Sequence, residues 1–502
     1  MRTGIRNTIL LAGPLLFWVT VTTMGSDGEH PMAARCAGVA VWMGVWWLTE
    51  VVPLAVTALL PLVLFPVLGV MSASRVAANY TNDVIFLFLG GFMVALAMER
   101  WDLHKRIALH VILLIRGSVG LTLLGFMVAT AFLSMWISNT AATMMMVPIA
   151  SAVLARYDVL LGKDASAKIA VGLLLGIAYA ASIGGIATLV GTPPNLVFVQ
   201  LFKIEFPNAP EISFATWLFF AFPLTVMLLF AAWGVLRVLY VPKVESFSST
   251  RDVFRGELRE LGTMRREEKV VAVVFAVMAM LWITRRPLTL GAVTIPGWSE
   301  LLPEPGYVGD GTVALALACV LFLISAKDRS TQILDWETAR KLPWRIVLLF
   351  GGGFALAGAI LESGLSEVIG LKMHALAALS PTSMTASVCT LLTFVTELTS
   401  NTATTQIALP ILAATAVAVH RNPMFLMIPA TLSASCAFMM PVATPPNAII
   451  FGTGRIKVYQ MAKAGILLNL IGIVLITGWM MLMGAAFLGS GPAEFPAWAV
   501  RG

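Results

Sequence analysis

Charge is scarce in this chain. Of 502 residues only 12% are Asp, Glu, Lys or Arg, where a soluble protein carries about 25%, so water is excluded as the main solvent of the fold. Cysteine is scarce too. Cys36, Cys319, Cys389 and Cys436 lie in apolar stretches without paired spacing, which argues against a disulfide or zinc framework and reads them as small buried hydrophobes. The five histidines form no pair at i and i+4, so no helical metal site is offered. The formal net charge of +7 does not point to nucleic acid, because the basic residues sit in short loops beside apolar segments, the positive-inside signature of membrane topology.

Apolar residues fill the space that charge leaves, at 59% of the chain. They recur in stretches close to the roughly 20 residues a helix needs to cross about 30 Å of hydrocarbon. A β-barrel would alternate over segments of about 10 residues, whereas residues 214 to 241 are apolar nearly throughout. The fold class is therefore an all-α polytopic membrane protein. Residues 8 to 24 resemble a signal-peptide core, but no small-residue cleavage site follows and more spans do, so the segment is kept as the first helix.

The loop from 242 to 269 holds Lys243, Arg251, Arg255, Arg259, Arg265, Arg266 and Lys269 and belongs on the cytoplasmic side, with 326 to 345 beside it. Residues 285 to 309, rich in Pro, Gly and Trp, then form an external loop. Counting both ways gives helices near 7–24, 33–49, 53–70, 84–98, 168–203, 214–241, 269–284, 310–325, 344–361, 423–454 and 464–488. Parity requires 120–156 to enter and leave by the cytoplasmic face and 382–420 by the external face. The expectation is about eleven transmembrane helices plus two re-entrant hairpins, with the N-terminus cytoplasmic and the C-terminus external.

The two halves match. Phe88, Gly90, Gly91 and Phe92 fall on Phe350, Gly352, Gly353 and Phe354 at an offset of 262 residues, and Ser138, Asn139 and Thr140 on Ser400, Asn401 and Thr402. GTPPN at 191–195 recurs as ATPPN at 443–447 at an offset of 252. This is duplication, and the threading gives the copies opposite orientations, an inverted-repeat transporter architecture. After each matched helix comes an amphipathic stretch, Leu103, Ile107, Val111 and Leu114 in one copy and Leu365, Ile369, Met373 and Leu376 in the other. Their spacing predicts two interfacial helices, with His104, Lys105 and Arg106 suiting the membrane surface.

Each hairpin carries a polar cluster at mid-length, where polar groups are costly unless paired or facing a cavity. Pro193-Pro194 and Pro445-Pro446 cannot continue a helix. A helix opened there frees backbone carbonyls as hard ligands for a small cation and presents half-helix N-termini that favour an anion. Gly191 and Ala443 let carbonyls approach, and Ser134, Ser138, Asn139, Thr396, Ser400 and Asn401 add side-chain oxygens. Thr140, Thr402, Asn195 and Asn447 remain as neutral donors to carboxylates. No Lys or Arg lies between Arg116 and Arg156, Lys168 and Lys203, or Lys372 and Arg421. An anion held here depends on dipoles, amides, hydroxyls and bound cations, which argues for coupling. Glu397 is the one acid inside a hairpin arm and is read as structural support.

With SNT in both hairpins and TPPN in both broken helices, the whole chain resembles the divalent anion sodium symporter family, the INDY-type carriers. The resemblance implies sodium-coupled symport of C4-dicarboxylates such as succinate, fumarate and malate by a lipid-embedded homodimer with an elevator-like transport domain, placed in the inner membrane. It implies one sodium site at Ser134, Ser138, Asn139 and Gly191, a second at Thr396, Ser400, Asn401 and Ala443, and substrate carboxylates met by Asn139, Thr140, Asn401 and Thr402. Scaffold helices and interfacial helices then occupy 1–119 and 269–381. Transport elements occupy 120–241 and 382–490, with a cytoplasmic loop at 242–268 and an external tail at 491–502. A sodium-independent exchanger, a sulfate or citrate carrier and an anion channel are the competing readings. An intramembrane aspartyl protease is disfavoured because Tyr157-Asp158 is read in a charged loop and Gly309-Asp310 lacks the accompanying glycine.

Overall fold

The computed structural model describes residues 3–25, 30–115, 118–242, 250–290, 293–327, 331–373 and 377–500. Two apolar helices open it, α1 (Thr3–Met24) and α2 (Ala33–Thr49). Gly13 makes their contact close, since a Cβ there would stand 2.5 Å from Trp42 and 2.7 Å from Trp46. The helix expected over 53–70 is broken into α3 (Leu54–Thr57) and α4 (Leu60–Val67), followed by α5 (Ala73–Ala78). Pro61 has no amide hydrogen for the Thr57 carbonyl, and the Ala58 carbonyl is taken by the Tyr80 hydroxyl at 2.5 Å.

α6 (Asp83–Arg100) runs into the first amphipathic helix, α7 (Leu103–Leu114). Its inward face differs from the expected one. Leu103, Arg106, Ala108, Leu109 and Ile112 are buried, while Leu114 is 76% exposed, as suits an aliphatic side chain whose solvent is lipid. The first hairpin is α8 (Val119–Ser134) and α9 (Asn139–Leu161), longer than its expected end at 156. Tyr157 and Asp158 therefore lie inside a helix and not in a loop. α10 (Lys163–Ile186) is enclosed on every side through its apolar stretch, as a helix apolar all round must be. It stops before α11 (Pro193–Glu205), and α12 (Phe214–Tyr240) follows.

The basic loop contains a helix that its sequence did not announce, α13 (Thr250–Glu260); Lys243 lies outside the described residues. α14 (Arg266–Ile283) leads to a short antiparallel pair, β1 (Leu288–Leu290) and β2 (Val293–Ile295). α15 (Asp310–Leu323) lies so close to α6 that a Cβ at Gly90 would fall 2.6 Å from that of Ala314. Cys319 on α15 is exposed, against expectation, whereas the other three cysteines are buried; it faces outward from a helix in an apolar bundle, where lipid is the expected neighbour. α16 (Trp336–Ala339) precedes α17 (Trp344–Glu362), the repeat partner of α6, and α18 (Leu365–Met373), which covers the second amphipathic stretch. Leu376 lies outside the described residues.

The second hairpin is α19 (Pro381–Thr396) and α20 (Asn401–Ala418), and the second broken helix is α21 (Met424–Ala434) and α22 (Pro445–Gly452). α23 (Val458–Leu488) closes the bundle. Among the described residues seven helices are long and apolar enough to cross a membrane, and four shorter apolar ones accompany them. The hairpin arm α9 and the half-helix α10 are among the seven, whereas the arm α8 and the half-helix α21 are among the shorter four. One large apolar core joins both hairpins and both broken helices, and a smaller one joins α2 to α17 around Trp47, Phe65 and Leu356.

Candidate ion and anion site

Both hairpins end their first arm on a hydroxyl and begin their second on an asparagine. The residue before each asparagine, Ser138 (φ −61°, ψ 143°) and Ser400 (φ −68°, ψ 128°), is extended in the N-cap conformation. That turn brings Ser134 Oγ to 2.5 Å from Asn139 Oδ1 and Thr396 Oγ1 to 2.7 Å from Asn401 Oδ1. Each hydroxyl also reaches a carbonyl on the facing broken helix, Ala181 at 2.7 Å and Ala434 at 2.8 Å. A hydroxyl has one hydrogen to give, so Thr396 Oγ1 lies between two acceptors that it cannot both satisfy, whereas at Ser134 the Asn139 amide, turned over, donates to the hydroxyl and removes the conflict.

The breaks repeat as closely. Thr192 (φ −143°, ψ 138°) and Thr444 (φ −141°, ψ 151°) are extended just before the prolines, which start the next half-helix, where a missing amide hydrogen costs nothing. Asn195 Nδ2 donates to the carbonyls of Gly185 at 3.1 Å and Thr188 at 2.7 Å; Asn447 Nδ2 donates to those of Ala437 at 3.1 Å and Met440 at 3.0 Å. These are corresponding carbonyls at the repeat offset. Both asparagines are fully buried, so their amide hydrogens are spent on holding the opened helix.

In the first copy the opened backbone comes to the hairpin tip. As placed, the Asn139 amide turns its oxygen toward Ser134 Oγ and the carbonyls of Ala181 and Gly191; turned over, its nitrogen meets them at 2.5, 3.2 and 3.3 Å. Hydroxyl, amide and two carbonyls thus form one oxygen-rich cluster. Glycine is required for it, because a Cβ at Gly191 would stand 2.6 Å from the Gly185 carbonyl and 3.0 Å from that of Ser134, and a Cβ at Gly185 would stand 2.8 Å from Asn139 Oδ1. Gly185 was not singled out from sequence, although the pair Gly184-Gly185 in a buried helix end was its visible signal.

The remaining residues take distinct places. Ser138 Oγ accepts from Ala141 N at 3.1 Å, whereas Ser400 caps α20 through its backbone alone. Ala443 donates its N–H to the Met440 carbonyl at 3.2 Å. Thr140 is half-buried and Thr402 buried. Glu397 is 3% exposed and accepts from the N–H groups of Phe438, Met439 and Met440 and from Asn469 Nδ2 at 2.7 to 3.0 Å. A cavity of about 710 Å³ lies apart from both clusters, between α6, α11 and α15, and is lined among others by Leu87, Leu189, Phe202, Lys203 and Asp310.

A bundle of this kind, with two hairpins turned on polar tips and two helices opened at double prolines, has the fold of a membrane transporter. It resembles the solved structures of MtrF from Neisseria gonorrhoeae (TM-score 0.56, 14% identity, 82% of this chain and 84% of that one) and of the YdaH transporter from Alcanivorax borkumensis (TM-score 0.50, 14% identity, 81% and 87%). At that identity the likeness concerns the fold alone. The family described as the sodium:sulfate symporter transmembrane region matches residues 7–487, and the chain belongs to it; it is a multi-pass membrane transporter. Its relatives include the sodium-dependent dicarboxylate transporters SdcS of Staphylococcus saprophyticus and of Staphylococcus aureus, each 43% identical over 474 residues, covering 93% of this chain and 89% of the relative.

Proposed function

We propose that this transporter couples sodium entry to the uptake of C4-dicarboxylate dianions across an inner membrane. The observation that carries the reading is the paired clusters, in which Ser134 and Thr396 each set a hydroxyl between an asparagine amide and a carbonyl of a broken helix. A cation accepts all such oxygens at once, which one hydroxyl hydrogen does not. Ser134, Ser138, Asn139 and Gly191 hold one sodium; Thr396, Ser400, Asn401 and Ala443 hold the other. Asn139, Thr140, Asn401 and Thr402, beside those cations, receive the two carboxylates. Asn195 and Asn447, expected as donors to the substrate, serve instead to keep the breaks open, since their amide hydrogens already bond carbonyls.

The hairpins, broken helices, α12 and α23 form the moving transport unit, within 120–241 and 382–490. The helices within 1–119 and 269–381 form the scaffold, through which two copies pair in the lipid. The basic loop at 242–268 faces the cytoplasm with the N-terminus, and the tail at 491–502 lies outside. The relatives named for dicarboxylates favour succinate-like substrates, while the family's description includes sulfate. Uptake of labelled succinate into proteoliposomes separates these readings. Sodium-dependent uptake competed by fumarate and malate but not by sulfate or citrate is expected; competition by sulfate alone, or uptake indifferent to sodium, overturns the assignment. Counterflow from preloaded vesicles is expected of a carrier and excludes a channel.

A further inference from the structure

The second break is held in a way that the first is not. Glu397 follows Thr396 directly, and its carboxylate sits in the concave nest made by three successive N–H groups, those of Phe438, Met439 and Met440. At the matching place in the first copy stands Met135. On the other side of the same backbone lies Tyr179, 1% exposed and carried by α10 of the first copy. Its hydroxyl donates to the Phe438 carbonyl at 2.7 Å, with the Met461 carbonyl next at 3.2 Å, and its ring meets that of Phe438 at 5.2 Å.

Peptide geometry makes these contacts a clamp. The Phe438 carbonyl and the Met439 N–H belong to one planar trans unit and point opposite ways. Tyr179 therefore holds one end of that unit and Glu397 the other. The unit before it is held likewise, its Ala437 carbonyl by Asn447 and its Phe438 N–H by Glu397. Neither unit can rotate without losing bonds at both ends, and those to the carboxylate are charge-assisted.

The clamp reaches both clusters. Tyr179 is two residues from Ala181, whose carbonyl belongs to the first; Glu397 adjoins Thr396, and Phe438 follows Ala434, of the second. Among the described residues the first break has no matching bridge from the second copy: the counterpart of Phe438 is Ile186, whose carbonyl accepts from Trp217 at 3.0 Å and from Asn195 at 3.3 Å, both of its own copy. We infer that Tyr179 and Glu397 are positioning residues that transmit occupancy of the first sodium site to the second, so that the two sodium ions bind cooperatively. This rests on the two-site reading above and deepens it. Filling the first cluster draws in Ala181 and with it Tyr179, which sets the Phe438 peptide and the carbonyls of the second break.

The test is the sodium dependence of succinate uptake by wild type, Tyr179→Phe and Glu397→Gln in proteoliposomes, with sodium-dependent thermal stabilisation of each purified protein alongside. Coupling between sites is typically 5- to 150-fold. Both variants are therefore expected to need at least about fivefold more sodium for half-saturation and to lose a Hill coefficient above one. Their maximal rate at saturating sodium should remain within about twofold of wild type. Stabilisation by sodium should rise less steeply with concentration in both. A wild-type sodium curve in Tyr179→Phe, or a fall in maximal rate alone, overturns the clamp. A wild type indifferent to sodium overturns the two-site reading itself, a distinguishable result. Should Tyr179→Phe not fold, Glu397→Gln decides by the same criteria.

Discussion

The two copies differ at and beside the residues that touch the proposed ions. Where the first has Gly185 and Gly191, the second has Ala437 and Ala443, and Ser134 is answered by Thr396. The first cluster has no room for the extra carbon, since a Cβ at 185 would sit 2.8 Å from Asn139 Oδ1 and 3.0 Å from the Gly191 carbonyl. Gly185→Ala must push these oxygens apart, and overpacking of this kind costs about 1–3 kcal/mol, roughly five- to 150-fold in affinity. The expected outcome is a protein that reaches the membrane but needs at least about fivefold more sodium for half-maximal uptake; an unchanged sodium curve would place the ion elsewhere. Asn139→Ala and Asn401→Ala remove an oxygen proposed to serve cation and anion together. Both should abolish sodium-driven uptake while preserving a monodisperse protein in detergent.

Helices were legible where periodicity and prolines speak loudly. The hairpin arms, both double-proline breaks and the long helices fall within a few residues of their expected bounds, because chain length in hydrocarbon and the missing proline amide leave little choice. The candidate cluster was legible through its repetition: Asn139 of SNT and Gly191, just before TPPN, come together with Ser134 though far apart in sequence. What escaped were partners fixed only by packing. Nothing in a single segment reveals that Tyr179 meets Phe438, or that Asn195 turns inward. The arm α7 is a further case. Arg106, expected at the membrane surface, is buried, bonds Glu268 at 2.6 Å and the Gly262 carbonyl at 3.0 Å, and thereby fastens α7 to the start of α14, while Lys105 reaches Glu257 on α13 at 3.2 Å. Removing one member of a buried pair costs about 3–5 kcal/mol, and replacing both by apolar residues is often neutral. Arg106→Met should therefore lower the melting temperature and speed proteolysis within 250–269. Adding Glu268→Leu should recover most of the loss; equal instability of single and double variants would show that the pair is not what holds the arm.

For the whole molecule the deciding quantity is charge. Importing a dianion against an inside-negative potential costs about 2.3 kcal/mol per charge per 100 mV, roughly 4.6 kcal/mol in all, and no Lys or Arg lies between Arg116 and Arg156, Lys168 and Lys203, or Lys372 and Arg421 to offset it. Dipoles of half-helices and neutral donors hold an anion in place but do not carry charge across. The compensation must travel with the substrate, and the duplicated cluster gives two places for it to ride. Two sodium ions make the loaded carrier neutral, so the potential neither helps nor hinders its passage; a third would make the potential itself a driving force. In either case an inside-negative potential does not oppose uptake. Proteoliposomes loaded with potassium and treated with valinomycin in sodium medium provide that potential. Succinate uptake there is expected to rise with sodium with a Hill coefficient above one and to be equal to or faster than uptake at zero potential. Uptake slowed by the inside-negative potential would mean that fewer than two cations accompany each dianion, and the paired clusters would lose their assigned role.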